Sequence, residues 1–169
     1  ADDTNNTGFA GKLNVEQNII KNDSLWNLNA VLDADYIQQN FKTIQRLYAP
    51  EFNRDWNLSQ TNSNLLNTNF GDQTLVSVGL QSFHHKKGYI NYSFQHLDYS
   101  ENFSGSKHNI LANINIGNLR LSTNTNILKA DGSDNSSKFF RTYNKAIYTL
   151  KKQWIGTGFS AEENKERIN

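Results

Sequence analysis

Four histidines, His84, His85, His96 and His108, are the side chains of this chain best able to hold a metal. Imidazole suits zinc, copper, iron or nickel, but a firm site needs three or four converging ligands. Pairing the alternating segments near 90–96 and 108–114 sets His96 opposite His108, with Asp98 as the nearest carboxylate. Two ligands without a third make a weak metal candidate, and a polar cross-strand pair at a sheet rim is the plainer reading. The carboxylates are scattered, and no two form a general acid/base pair. Serines occur without a nucleophile elbow, and no Gly-rich phosphate loop is present. No catalytic residue and no cofactor are therefore expected, and enzyme is the least supported class. Trp26, Trp56, Tyr92 and Trp154 are the candidate ligand-binding residues. Their flat rings suit a sugar or an apolar molecule, while core or interface packing would use the same side chains.

Those residues need a frame, and composition narrows it. The chain has 169 residues with no Cys, no Met, one Pro, a net charge of +1 and 26 Asn. One domain, 1–169, is expected at this length. Without Cys there is no disulfide scaffold and no thiolate metal site. The balanced charge argues against a nucleic-acid partner. No apolar run approaches the ~20 residues of a transmembrane helix.

Period-two alternation dominates instead. Phe9, Gly11, Leu13, Val15, Gln17 and Ile19 share one face of a first strand, and Trp26, Leu28, Ala30, Leu32, Ala34 and Tyr36 one face of a second. An Asn22-Asp23 turn would pair Ile19 with Trp26, Val15 with Ala30 and Leu13 with Leu32. A Lys86-Lys87-Gly88 loop places Leu80 near Phe94, and Ile90, Tyr92 and Phe94 are set against Ile114, Ala112 and Ile110. A Gly117-Asn118 turn pairs Ile116 with Leu119 and Ile114 with Leu121. A Lys151-Lys152 turn pairs Tyr148 with Ile155 and Asn144 with Phe159. Residues 131–137 read as a longer, soft connection. The opposite face carries Lys12, Asn14, Glu16, Asn29, Asp33, Asn113, Asn115, Asn124, Asn126 and Arg141, and it must touch water. The prediction is an all-β antiparallel up-and-down meander of about eight to ten strands, as a barrel or part of a larger sheet. Residues 35–48 fit either a short helix or another strand, and 58–70 fits a strand.

A meander with one polar and one apolar face suits a membrane barrel, a soluble ligand-holding barrel or a packed sandwich. Strand length, short turns and the polar second face favour the first. Gln17, His96, His108, Thr123, Thr125, Thr142 and Asn144 on the apolar face count against it. The Asn/Tyr/Phe-rich alternation, the block Glu51-Phe52-Asn53-Arg54-Asp55-Trp56-Asn57 and the stretch from Trp154-Ile155-Gly156 to Glu163-Asn164 resemble long β-rich envelope proteins of Gram-negative bacteria, in particular those of Bacteroidetes-type cells. The resemblance implies an outer-membrane or cell-surface location and no particular activity. The expected function is thus a non-catalytic sheet segment: scaffold, pore wall or partner platform. Expected partners are other envelope proteins or the rest of its own chain, with lipid or glycan as further candidates. The unclosed last strand suggests a fragment of a longer chain. The alternative is a soluble barrel or sandwich that binds a small apolar ligand or a carbohydrate.

Overall fold

The computed structural model describes residues 7–22, 25–41, 55–56, 58, 71–100, 102–133 and 135–168. Its elements are strands: β1 (Ala10–Ile20), β2 (Asn27–Ile37), β3 (Gln73–His84), β4 (Gly88–Tyr99), β5 (Phe103–Ile116), β6 (Leu119–Gly132), β7 (Asn135–Thr149) and β8 (Trp154–Ile168). They form one antiparallel sheet in chain order, so every strand pairs with its sequence neighbour. Among the described residues β1 and β8 are free edges, and the sheet is not closed. The proposed strand at 58–70 and most of the 35–48 ambiguity lie outside the described residues. Residues 35–37 belong to β2.

The hairpin turns at 85–87, 117–118 and 150–153, with the strand ends Ile20 and Asn27, lie along one end of the sheet, here the lower edge. The strand ends Ile37, Gln73, Tyr99, Phe103, Gly132 and Asn135 lie along the upper edge. Asn is a poor strand former, so cross-strand pairing offsets its propensity. Lys12 and Asp35 are opposite in register and form an ion pair of 3.4 Å. The Asn14 amide donates to Asp33, its partner in register. Arg141 Nε donates to Glu162 Oε2 at 3.0 Å, again directly across.

Two hairpins have the register that the sequence predicts: Ile116↔Leu119 and Ile114↔Leu121 around Gly117-Asn118, and Tyr148↔Ile155 and Asn144↔Phe159 around Lys151-Lys152. Three differ from it by two residues. In β1/β2, Val15 meets Leu32 and Leu13 meets Ala34. The turn there is wide, held by the Asn22 amide donating to Asn27 Oδ1 at 2.7 Å, with a bulge between Asn18 and Ile20. In β3/β4, Leu80 meets Tyr92, because the loop is His85-Lys86-Lys87 and Gly88 opens β4 at φ 109°. In β4/β5, Ile90 meets Ala112 and Tyr92 meets Ile110, because the turn after Tyr99 is tight and Tyr99 pairs with Phe103. The 131–137 segment is also tight: β6 runs to Gly132 and β7 starts at Asn135. A shift of two keeps every side chain on its face, so the faces stand while the partners change.

The core sits on the nominally polar face. Trp56, Leu58, Leu97, Tyr99, Phe103, Leu128 and Ala130 form the buried cluster, with Leu75 and Phe139 packed against it. Register places the strand members together at the upper end of that face, where Leu75 opposes Leu97, Tyr99 opposes Phe103 and Leu128 opposes Phe139. The other face, which holds most of the apolar side chains, is the exposed one. Leu13, Val78, Leu80, Ile90, Ile110, Ile116, Leu121, Ile155 and Phe159 all stand open there, up to 68% exposed at Ile155.

Candidate functional site

A recess of about 350 Å³ opens on the polar face beside this core. Three opposed pairs of β6 and β7 build its floor: Asn124 with Tyr143, Asn126 with Arg141, and Leu128 with Phe139. Strand β5 adds Lys107, opposite Leu128, and the connection from β2 to β3 adds Asp55. Alternate positions of a strand face the same way, so polar and aromatic groups follow one another up β6 and β7 on a single surface.

Its charged groups are held in place. The Arg141 guanidinium carbon lies 5.0 Å from the Phe139 ring centroid while Nε binds Glu162. Lys107 Nζ lies 5.3 Å from the Trp56 ring centroid, a cation–π arrangement. Asp55 lines the same recess as Lys107. Each cation thus has a carboxylate nearby and the recess is close to neutral. Trp56 is only 2% exposed. It reaches the sheet because residue 105 is glycine: a Cβ there would come within 3.0 Å of the Trp56 ring and against the Phe103 ring. The Asn109 side-chain oxygen, across from Asn126, is buried without a hydrogen-bond partner.

The four sequence-predicted ligand residues do not converge. Trp26 lies at the lower edge, 5.5 Å from His84 in an edge-to-face contact. Trp154 opens β8 at the same edge, six strands away and 70% exposed. Tyr92 lies on the apolar face and its hydroxyl is 2.9 Å from His108 Nδ1. Only Trp56 adjoins the recess. His96 is opposite Ser106, and His108 is opposite Phe94, so the predicted His96/His108 pair is corrected to a diagonal offset of two residues. The cause is the tight turn after Tyr99. Among the described residues no group of three or more His, Cys, Asp or Glu is placed to hold a metal.

Lys107, Asn124, Asn126, Arg141 and Tyr143 were not singled out as a site by the sequence. The signal that would have found them is the β6/β7 register, which follows once Asp131 is paired with Ser136. The lining offers amide donors and acceptors, fixed cations and ring faces. Such groups suit the binding of a polar ligand.

Four polar groups on the apolar face bond one another. Thr125 and Thr142 hydroxyls lie 2.7 Å apart, Asn144 Nδ2 donates to Thr142 Oγ1 at 2.9 Å, and Thr123 lies 3.3 Å from Thr125. Beside this knot runs an apolar groove of about 420 Å³, lined by Ile114, Ile116, Leu121, Ala146 and Phe159 among others. No family model matches this chain, and comparison with curated proteins and with solved structures gives no match.

Proposed function

We propose that this chain is a non-catalytic segment of the wall of an outer-membrane β-barrel, with its apolar face against lipid and its polar face toward an aqueous interior. One observation carries the reading: the apolar side chains stand exposed on one face while the buried core lies on the other. A soluble sandwich or ligand-holding barrel would bury that apolar face, and water-exposed apolar surface of this extent marks a contact with something else. Lipid is the contact that the remaining features favour.

On β5 the apolar-face residues Ile110, Ala112, Ile114 and Ile116 run to the lower edge. Toward the upper edge the same face carries Asp98, Lys129, Lys138, Glu163 and Lys165. From Ile110 to Ile116 the strip covers about 20 Å along β5 at about 3.3 Å per residue, or about 15 Å along the barrel axis at a tilt of roughly 40°, the greater part of the ~25 Å band of a barrel wall. The Thr/Asn knot satisfies its own hydrogen bonds, which is the condition for keeping polar groups against hydrocarbon. The groove beside it is shaped to take an acyl chain. Free edges at β1 and β8 are not tolerated in hydrocarbon, so further strands, from the rest of the protein or from an envelope partner, complete the wall.

The absence of Cys makes single labels unambiguous. In reconstituted vesicles, a fluorophore on Ile114→Cys or Val78→Cys is expected to be quenched by lipids brominated on the acyl chain. A label on Ser93→Cys or Asn91→Cys, on the other face, is not. A monodisperse monomer in plain buffer that does not partition into vesicles would overturn the reading.

A further inference from the structure

We infer that the recess between β5, β6 and β7 is a binding site for a short neutral oligosaccharide, with Tyr143 as the ring platform and Asn124, Asn126 and Arg141 as the hydrogen-bonding row. The site lies on the polar face and does not depend on what covers the apolar one.

The chemistry comes from three properties of the lining. The first is charge. Lys107 shares the recess with Asp55, and Arg141 is bound to Glu162. An anionic ligand would have to compete with carboxylates already in place, whereas an uncharged one meets a balanced surface. The second is the match of donors and acceptors. A sugar hydroxyl both donates and accepts, and so does a carboxamide. Asn124 and Asn126, two residues apart on β6, present two such groups about 7 Å apart along the strand. Arg141, directly across from Asn126, adds donors that Glu162 and the Phe139 ring hold in place.

The third property is shape. Tyr143 is 53% exposed and opposes Asn124, so an open ring stands beside an amide. The C–H face of a pyranose stacks on such a ring while its equatorial hydroxyls reach the amides. Trp56 does not serve this purpose, because it is buried and Lys107 lies over its ring. From Tyr143 to Phe139 is four residues, about 13 Å along β7, which gives room for more than one sugar unit. A volume of about 350 Å³ falls at the small end of the ~300–1,000 Å³ of ligand sites.

The test is calorimetric titration of the full chain, in the detergent that keeps it monodisperse, with neutral gluco-, manno-, xylo- and galacto-oligosaccharides. Sulfated and uronic-acid oligosaccharides of the same length form the second arm. At least one neutral series is expected to bind saturably. Tyr143→Ala and, separately, Asn124→Ala are expected to weaken it by about tenfold or more, roughly the effect of one lost stacking or bidentate contact. Both side chains are exposed, so near-UV circular dichroism of the variants should match the parent. Phe159→Ala, on the opposite face, should leave affinity unchanged. No neutral binding at millimolar ligand, binding confined to the acidic series, or binding indifferent to both variants would each overturn the assignment.

Discussion

Thr125 and Thr142 face each other across β6 and β7 and share a 2.7 Å contact between hydroxyl oxygens in the middle of the apolar face. Thr142 is buried at 7% exposure and also accepts from the Asn144 amide. Thr123, Thr125, Thr142 and Asn144, which interrupt this face, therefore bond one another. Replacing Thr142 by Val removes the shared oxygen, takes the acceptor from Asn144 Nδ2 and leaves Thr125 only its longer 3.3 Å contact with Thr123. Stability measured by denaturant in lipid or detergent should fall by about 1–3 kcal/mol. Thr125→Val combined with Thr142→Val should cost less than the sum of the two singles, since one stranded group is removed.

Trp56 and Trp154 provide a second contrast. Trp56 fills the core against Leu97, Phe103 and Leu128, while Trp154 stands 70% exposed at the lower edge. Trp56→Ala should cost about 3–5 kcal/mol, as large aromatic truncations in cores do. Trp154→Ala should stay within about 0.5 kcal/mol in detergent solution. Denaturant midpoints of the two variants measure both.

Gly88 should resist substitution. It sits at φ 109° where β4 begins, and a Cβ there would run into the carbonyl oxygen of Asn113 on β5. Gly88→Ala is expected to cost at least about 2 kcal/mol, adding a steric clash to backbone strain. Gly117, at φ 59° with open space around it, should accept Asn for less than about 1 kcal/mol. Thermal or chemical unfolding of the pair separates turn geometry from crowding.

Asp72 joins the two ends of the connection between β2 and β3. Its carboxylate accepts from the Gln39 amide at 2.9 Å and from the Tyr36 hydroxyl at 2.9 Å. The Gln39 amide first, and the Tyr36 hydroxyl second, hold its carboxyl below the usual carboxylate range. A depressed folded-state value means that the unfolded chain binds the proton more readily. The stabilisation is therefore complete above the ordinary carboxylate value of about 4 and is lost as pH falls through the lower folded one. Hydrogen exchange at the Gln39 backbone amide, corrected for its intrinsic rate, should be slow at pH 7 and quicken only as pH falls through the lowered folded-state carboxyl value. In Asp72→Ala, which removes both acceptor oxygens, it should be fast throughout. Slow exchange in that variant at pH 7 would refute the clamp.

How much of this was legible beforehand differs from feature to feature. Alternation at Leu13/Val15, Leu28/Leu32 and Ile110/Ile114 was enough to sort side chains onto two faces and to give the meander. The turns at Gly117-Asn118 and Lys151-Lys152 were legible because each is short enough to admit one pairing. Around Asn22, Lys86 and Ser100 several loop lengths kept the same faces, and the apolar pattern has no preference among registers two residues apart.

Residue pattern alone was sufficient for the strand class and for the division of side chains between a wet face and an apolar one. A period of two is a property of the extended backbone that any residue pattern must obey. Packing in three dimensions was needed to establish where the core lies, which partners His96 and His108 meet, and that Lys107, Asn126, Arg141 and Tyr143 line one recess. Those are contacts between residues far apart in the chain, set by turn geometry and by Trp56 reaching over Gly105. Local pattern holds no information about either.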